Sequence, residues 1–309
     1  MKGEATVSPF LLMNILLRWS PLCCLLVLFH CSTQRDNSSL SLVTVQDDLG
    51  RNVSLPQYPS RIVSLAPSLT ETLFALGLDS AIAGVTNYCN VPQQAGTKPK
   101  VGGLTNPDYE TIVRLRPDLI VMTFAGNSRK DYDALISLGL NVFVSNPEKL
   151  EDVYRSIVTL GYLCGKEAES KEVVKNMQVR EAAAVRKASA FKPQRVLLLV
   201  SLHPLIAAGK GTFVDELLTK GNCENITHRA ATAYPLLSRE EVLSLQPDWI
   251  VGTDDIVHSI DEIVAAYPEW EKLAAIRKRH VAVVSADLIS RPGPRIILGL
   301  EALVDAIHP

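Results

Sequence analysis

Glu110-Thr-Ile-Val-Arg-Leu-Arg-Pro117-Asp118-Leu-Ile-Val121 and Glu240-Glu-Val-Leu-Ser-Leu-Gln-Pro247-Asp248-Trp-Ile-Val251 read as copies of each other. The leading glutamate and the proline are displaced by the same 130 positions, from 110 to 240 and from 117 to 247. Solenoid units repeat every 20–50 residues or so, so a period this long points to two lobes of similar design. Each copy reads as a short helix, a Pro-Asp turn and a buried strand, with a glutamate near the start of the helix. Matching exposed acids on two lobes suggest a clamp that docks symmetrically onto a partner. Glu110 and Glu240 are then expected on one outward face, with a cleft between them.

The bulk composition agrees. A chain of 309 residues is long enough for two domains. Hydrophobic residues at 47% and charged residues at 21% suit an ordinary globular core. A net charge of −2 gives no basic footprint for nucleic acid. Aromatics are only 6% of the chain, so each one that falls in a loop stands out.

The N-terminus reads as something other than fold. Residues 11–29 are apolar apart from Asn14, Arg18, Ser20 and Pro21, and a polar run follows from Cys31 to Ser39. A spanning helix needs about 20 clean apolar residues, whereas an export signal needs a basic flank and a shorter apolar core. A start at Met13 supplies both, with Arg18 as the flank and residues 22–29 as the core. Leu28-Phe29-His30-Cys31 resembles a bacterial lipoprotein processing site, although His30 stands where a small residue is preferred. Residues 1–31 are therefore expected to be an export signal of lipoprotein type, acylated at Cys31, and residues 32–41 a tether. Simple cleavage and an uncleaved anchor are the alternatives, and all three export the chain. Cys89, Cys164 and Cys223 remain, without a C-x-x-C motif, and read as buried or half-buried free thiols.

Beyond the tether, residues 42–55 read as a hairpin around Asp47-Asp-Leu-Gly50. Strands and helices then alternate: strand 61–66, a helix from Pro67 to Gly77, strand 81–85, helix and strand within 104–121, and a further pair at 132–138 and 141–144. A second lobe restarts at Arg195 with strand 195–200. Helices begin near Thr212 and Ser238, strands lie at 249–252 and 281–284, and a last helix covers 294–307. The alternation predicts an α/β fold of two Rossmann-like lobes with mainly parallel sheets. Ligands of such sheets bind outside the carboxyl ends of the strands. Residues 66–70, 86–92, 123–127, 201–205, 253–255 and 286–291 are thus the loops to inspect.

Between the lobes, residues 165–189 are alanine-rich and free of proline, with Glu167 and Lys171 spaced for an i,i+4 pair. Val173, Met177, Ala184 and Ala188 form one apolar stripe. About 23 helical residues would span roughly 35 Å. The expected division is a lobe over 42–162, one long rigid linking helix over 163–190 and a lobe over 191–309, with modest closure between them.

A search for catalytic chemistry finds little. The chain has no G-x-S-x-G elbow and no H-E-x-x-H. Ala208-Gly-Lys-Gly-Thr212 lacks the upstream glycine of a phosphate loop and reads as a turn before a helix cap. Asp47-Asp48 and Asp254-Asp255 read as solvated turn acids, and the histidines are scattered. Neither a catalytic residue nor a metal set is assigned.

Five segments stand in order across residues 42–309: Asp47-Asp-Leu-Gly-Arg-Asn-Val, Arg61-Ile-Val-Ser-Leu-Ala-Pro-Ser-Leu-Thr-Glu71, Val85-Thr-Asn-Tyr-Cys-Asn-Val-Pro92, Val101-Gly-Gly-Leu-Thr-Asn-Pro107 and Arg291-Pro-Gly-Pro-Arg-Ile-Ile297. Together they resemble the helical-backbone substrate-binding proteins of ABC importers, which deliver cobalamin, siderophores and haem. The segments around Tyr88 and Arg291 most resemble the cobalamin-binding members. The resemblance implies a monomer that captures a corrinoid between its lobes and presents it to a permease and its ATPase, without chemistry or a resident cofactor of its own. A ferric siderophore or haem carrier is the alternative, and a chelatase-like enzyme a distant one. It also implies that Glu110 and Glu240 dock against permease arginines. Tyr88, Val200, His203 and Tyr234 fall near ligand-contact positions, with Phe124 and Arg291 as cleft neighbours. Leu104 and Val200 stand where the cobalamin binders carry tryptophan and phenylalanine, while Tyr234 keeps a ring in place of another tryptophan. His203 is either an axial metal ligand or a hydrogen-bonding loop residue, and Arg291 meets a ligand or braces the loop before Pro292.

Overall fold

The chain enters through a small antiparallel hairpin, β1 (Val43–Gln46) and β2 (Asn52–Leu55). The structure is a computed structural model that describes residues 42–308 and Gly3. The export signal over 1–31 with Cys31, and the tether over 32–41, lie outside the described residues. Asp47 and Asp48 are not the solvated turn acids the sequence suggested. Asp47 is buried and accepts the Leu49 and Arg51 amides at 3.0 Å, and Asp48 accepts the Asn146 amide at 2.6 Å. The Val144 amide, which donates to Asp47 at 3.4 Å, and the Asn146 bond to Asp48 pin the hairpin to the first lobe, because carboxylates withdrawn from water must find donors.

The first sheet holds β3 (Ile62–Ser64), β4 (Ile82–Val85), β5 (Leu119–Met122) and β6 (Val142–Val144), all parallel, in the order β4-β3-β5-β6. Its strands are buried on both faces, which is why they read as unbroken apolar runs. Helices α1 (Pro67–Ala75), α2 (Tyr109–Arg114), α3 (Arg129–Ser137) and α4 (Leu150–Leu163) connect and cover it. Helix α1 has no side-chain cap. Pro67, in its first turn, sets the start.

The second lobe repeats this plan. Strands β7 (Gln194–Ser201), β9 (Cys223–Asn225), β10 (Trp249–Thr253) and β11 (Val281–Val284) run parallel in the order β9-β7-β10-β11. A two-residue strand β8 (Ile206–Ala207) adds antiparallel to the end of β7. Its helices are α6 (Phe213–Lys220), α7 (Arg239–Leu245), α8 (Ile260–Ala266), α9 (Ala274–Arg277), α10 (Ala286–Ser290) and α11 (Ile296–Ile307). Thr212 and Ser238 cap α6 and α7 through the amides of Asp215 and Glu241, where the sequence placed the helix starts.

The internal repeat is legible in the hydrogen bonds. Helices α2 and α7 are each followed by a left-handed residue just before the proline, Arg116 (φ 46°) and Gln246 (φ 46°). The aspartate after the proline then grips the first strand of its sheet: Asp118 accepts the amides of Ser60 and Arg61, and Asp248 that of Arg195. Helix–proline–aspartate–strand is thus one structural unit used twice.

Helix α5 (Glu167–Ser189) joins the lobes. The expected Glu167–Lys171 pair closes at 2.6 Å. Its buried face is Ser170, Val174, Met177, Ala184 and Ala188, so Val174 takes the core place expected for Val173, which is half-buried. Against α4 the approach is close, since a Cβ on Gly161 would stand 2.4 Å from the buried Ser170 side chain. Against the second lobe, Arg180 and Lys187 pair with Glu301 and Asp305 at 2.8 and 2.9 Å. Glu181 accepts from Tyr154 at 2.6 Å and Lys220 at 2.7 Å, so one carboxylate holds an element of each lobe to the strut. One apolar core runs from the first sheet through Met177 and Ala184 to Leu217 and Leu300. That continuity makes α5 part of both cores.

Candidate ligand-binding cleft

Cleft residues arise where the strands end. Ala66 follows β3, Tyr88 follows β4 and Thr123 follows β5; in the second lobe Val200, Thr253 and Ala286 stand at the ends of β7, β10 and β11. They line two adjoining hollows that share Ala125, Ser290 and Pro292. The smaller, about 230 Å³, adds Pro67, Ser68, Leu104 and Arg291. The larger, about 410 Å³, adds Leu198, Phe213, Tyr234 and Asp255. A separate groove of about 460 Å³ lies on the first lobe between β1 and α4, away from every strand end of the cleft. Because the two cleft hollows are the ones built from both lobes, the ligand argument concerns them.

Tyr88 and Tyr234, one from each lobe, are 57% and 59% exposed and line the two hollows. Tyr58 and Tyr162 are exposed to a similar degree but line neither hollow, so it is position that sets Tyr88 and Tyr234 apart: their flat apolar faces are free for a ligand inside the cleft. Five of the six loops singled out in the sequence contribute lining residues. The exception is 201–205. There β8 folds back antiparallel on β7 and turns the loop away, so His203 leaves the lining and stands against Tyr267, ring centroids 5.8 Å apart. Tyr267 in turn donates to the Leu202 carbonyl. Phe124 is likewise not in the lining. The 123–127 turn, tied by the Thr123 amide to Asn127 Oδ1 at 3.1 Å, packs Phe124 edge-on against Tyr132 and presents Ala125 and Gly126 instead. Val200 does line the larger hollow, as does Phe213, which the sequence gave no reason to choose.

Arg291 lines the smaller hollow but is heavily engaged. Its guanidinium donates to Asn90 Oδ1 at 2.8 Å, and it pairs with Glu71 at 3.3 Å and Asp287 at 2.6 Å. Glu71 is buried on α1 and accepts two parallel bonds from Arg295, 2.9 and 2.8 Å long. That hydrogen bonding holds the Arg295 pKa above its ordinary value, against the opposing effect of burial. The cluster crosses from lobe to lobe at the floor of the cleft. Among the described residues no group of three or more acids, histidines and cysteines is placed to hold a metal. Cys89, Cys164 and Cys223 are free and buried, and burial pushes the Cys164 and Cys223 thiols up to about 12.

Glu110 and Glu240 occupy equivalent places. Helix α2 leads from β4 to β5 and α7 from β9 to β10, both between strands parallel to their neighbours. Each helix must run back against its sheet, so its first turn lies at the carboxyl edge, the edge that carries the cleft. Both acids are exposed, and among the described residues the Glu110 carboxylate pairs with Arg114 alone, at 3.9 Å.

Two similar lobes, a helical strut and a cleft at the strand ends match a known family, whose sequence profile covers residues 62–288. The chain belongs to the periplasmic binding protein family. The uncharacterized ABC transporter substrate-binding lipoprotein YvrC of Bacillus subtilis (strain 168) is 31% identical over 288 residues, 90% of this binding protein and 89% of its own length. The vitamin B12-binding protein BtuF of Vibrio cholerae superposes with a TM-score of 0.71 at 26% identity, covering 81% of this chain and 96% of its own. A possible iron-binding periplasmic solute-binding protein of Staphylococcus epidermidis ATCC 12228 superposes with a TM-score of 0.74 at 27% identity, covering 82% and 100%.

Proposed function

We propose that this binding protein captures cobalamin or a related corrinoid between its lobes and presents it to an ABC permease, with no covalent chemistry of its own. The observation that carries the reading is the pair Tyr88 and Tyr234, one exposed ring from each lobe on the walls of one cleft. A corrin offers broad flat faces, and tyrosine covers such faces at little conformational cost. The likeness to the vitamin B12-binding protein supports the same choice.

The competing cargo is an iron chelate, and charge argues against it. Siderophore complexes and haem carry anionic groups that call for free cations. Arg291 is the one basic residue in either hollow, and it is already paired; Asp255 is the other charged lining residue. In this reading Glu110 and Glu240 are the docking acids, Cys31 carries the lipid that holds the exported monomer at the membrane, and the permease with its ATPase is the partner. Titration of the purified protein with cyanocobalamin, haem and ferric siderophores, followed by intrinsic fluorescence, tests it. Saturable binding of cyanocobalamin is expected, and tight binding of only an iron chelate would overturn the assignment.

A further inference from the structure

Arg291 and Arg295 bring two positive charges to the cleft floor, and Glu71 and Asp287 bring two negative ones. The four side chains cancel. Only the Arg291 end faces the smaller hollow, where it is the single charged residue and its side chain is 15% exposed. Without its partners, Arg291 would present a full positive charge to whatever lies there, and a side chain mostly withdrawn from water acts more strongly than an exposed one.

We propose that Glu71 is a specificity-determining residue: by neutralising Arg291 it keeps the cleft wall uncharged and selects an amide-decorated ligand over its carboxylate counterpart. The inference rests on the cleft being the ligand site and deepens the corrinoid reading, since a corrin carries its side chains as neutral amides. Two features support it. Glu71 reaches Arg291 from the opposite lobe while Asp287 pairs with it from its own, so the second negative charge, which balances the two arginines together, is present only when the lobes stand as they do here. Asn90 holds the same Nη1 with a neutral oxygen at 2.8 Å, which fixes the guanidinium without altering its charge. A purely structural role for Glu71 would move the affinity for every ligand together. A charge-screening role moves the ratio between an anionic ligand and its neutral twin.

The test uses the full chain as wild type, Glu71→Gln and Asp287→Asn. Each is titrated with cyanocobalamin and the monocarboxylate made by hydrolysing one of its side-chain amides, and with haem and haem dimethyl ester. Asp287→Asn frees the same positive charge while leaving the Glu71–Arg295 bonds intact, so it serves if Glu71→Gln folds poorly. The wild type should favour the neutral member of a pair, and each variant should shift that ratio toward the anionic member on the order of tenfold. Unchanged ratios in both variants would overturn the proposal, whatever the absolute affinities do. If the wild type binds the haem pair and not the corrin pair, the corrinoid reading fails and the haem ratios still decide the role of Glu71. Binding of neither pair would sink both.

Discussion

Glu71 of the first lobe and Arg295 of the second are joined by two parallel hydrogen bonds, with Glu71 only 4% exposed. A bidentate ion pair thus fastens the two lobes at the cleft. Removing one partner leaves the other charge buried and under-paired, which costs about 3 kcal/mol or somewhat more. Arg295→Met is therefore expected to lower unfolding stability by about that amount in urea titrations. Glu71→Met with Arg295→Met should recover part of it, because the stranded carboxylate is gone. A single variant with unchanged stability would show that the pair does not fasten the lobes.

Tyr88 and Tyr234 are exposed, so truncating them removes ligand contact without opening the core. Tyr88→Ala and Tyr234→Ala should each weaken ligand binding by about 1–2 kcal/mol, or roughly five- to thirtyfold. Melting temperatures should stay within a degree or two of wild type. Tyr234→Phe keeps the ring and should bind almost normally. Affinity that is indifferent to both alanine variants would remove the two rings from the site.

Much of this molecule was readable beforehand. The Pro-Asp repeat announced two lobes because the same aspartate-to-strand grip is used at the one equivalent handover in each lobe, from α2 to β5 and from α7 to β10, as Asp118 and Asp248 show. What stayed hidden depended on contacts made across the fold. In α4, Leu150, Val153, Ile157 and Leu160 are buried together, a face that takes its meaning from the sheet and from the α5 it packs against. The family resemblance puts His203 near a ligand-contact position and Phe124 beside the cleft, but a side-chain-tied turn and a back-folded strand decide where they go. Whether Arg291 meets a ligand or braces its loop stays open in a linear reading, because nothing there sets Glu71, 220 positions away, against it.

Glu110 and Glu240 sit in the first turns of equivalent helices, and exposed acids there contribute little to folding. Their expected role is in docking, where complementary charge governs encounter and orientation. Glu110→Arg combined with Glu240→Arg should abolish ligand uptake by cells that depend on this protein. Ligand affinity and melting temperature of the purified variant should match wild type. Normal uptake by the double variant would end the docking assignment.

Tyr109 and Asp131 give the fold a two-sided pH dependence. Their hydrogen bond is 2.6 Å long. Burial would raise the Asp131 pKa, but the bonds from Ser128 and Tyr109 outweigh it and hold the carboxyl below its ordinary value. Its stabilisation is therefore present above the unfolded carboxylate pKa of about 3.9 and is lost as the pH falls through the lower native value. Tyr109 moves the other way: burial, then the bond to Asp131, pushes it up to about 12. Its contribution is complete below the unfolded value of about 10 and is lost as the pH rises through about 12. Tyr109→Phe removes one charge-assisted bond, so it should cost about 1.5 kcal/mol at pH 7. In urea titrations the gap between wild type and Tyr109→Phe should hold steady from pH 6 to about 9 and narrow above about 10. A gap that widens in alkali would mean that the phenol is not the donor to Asp131.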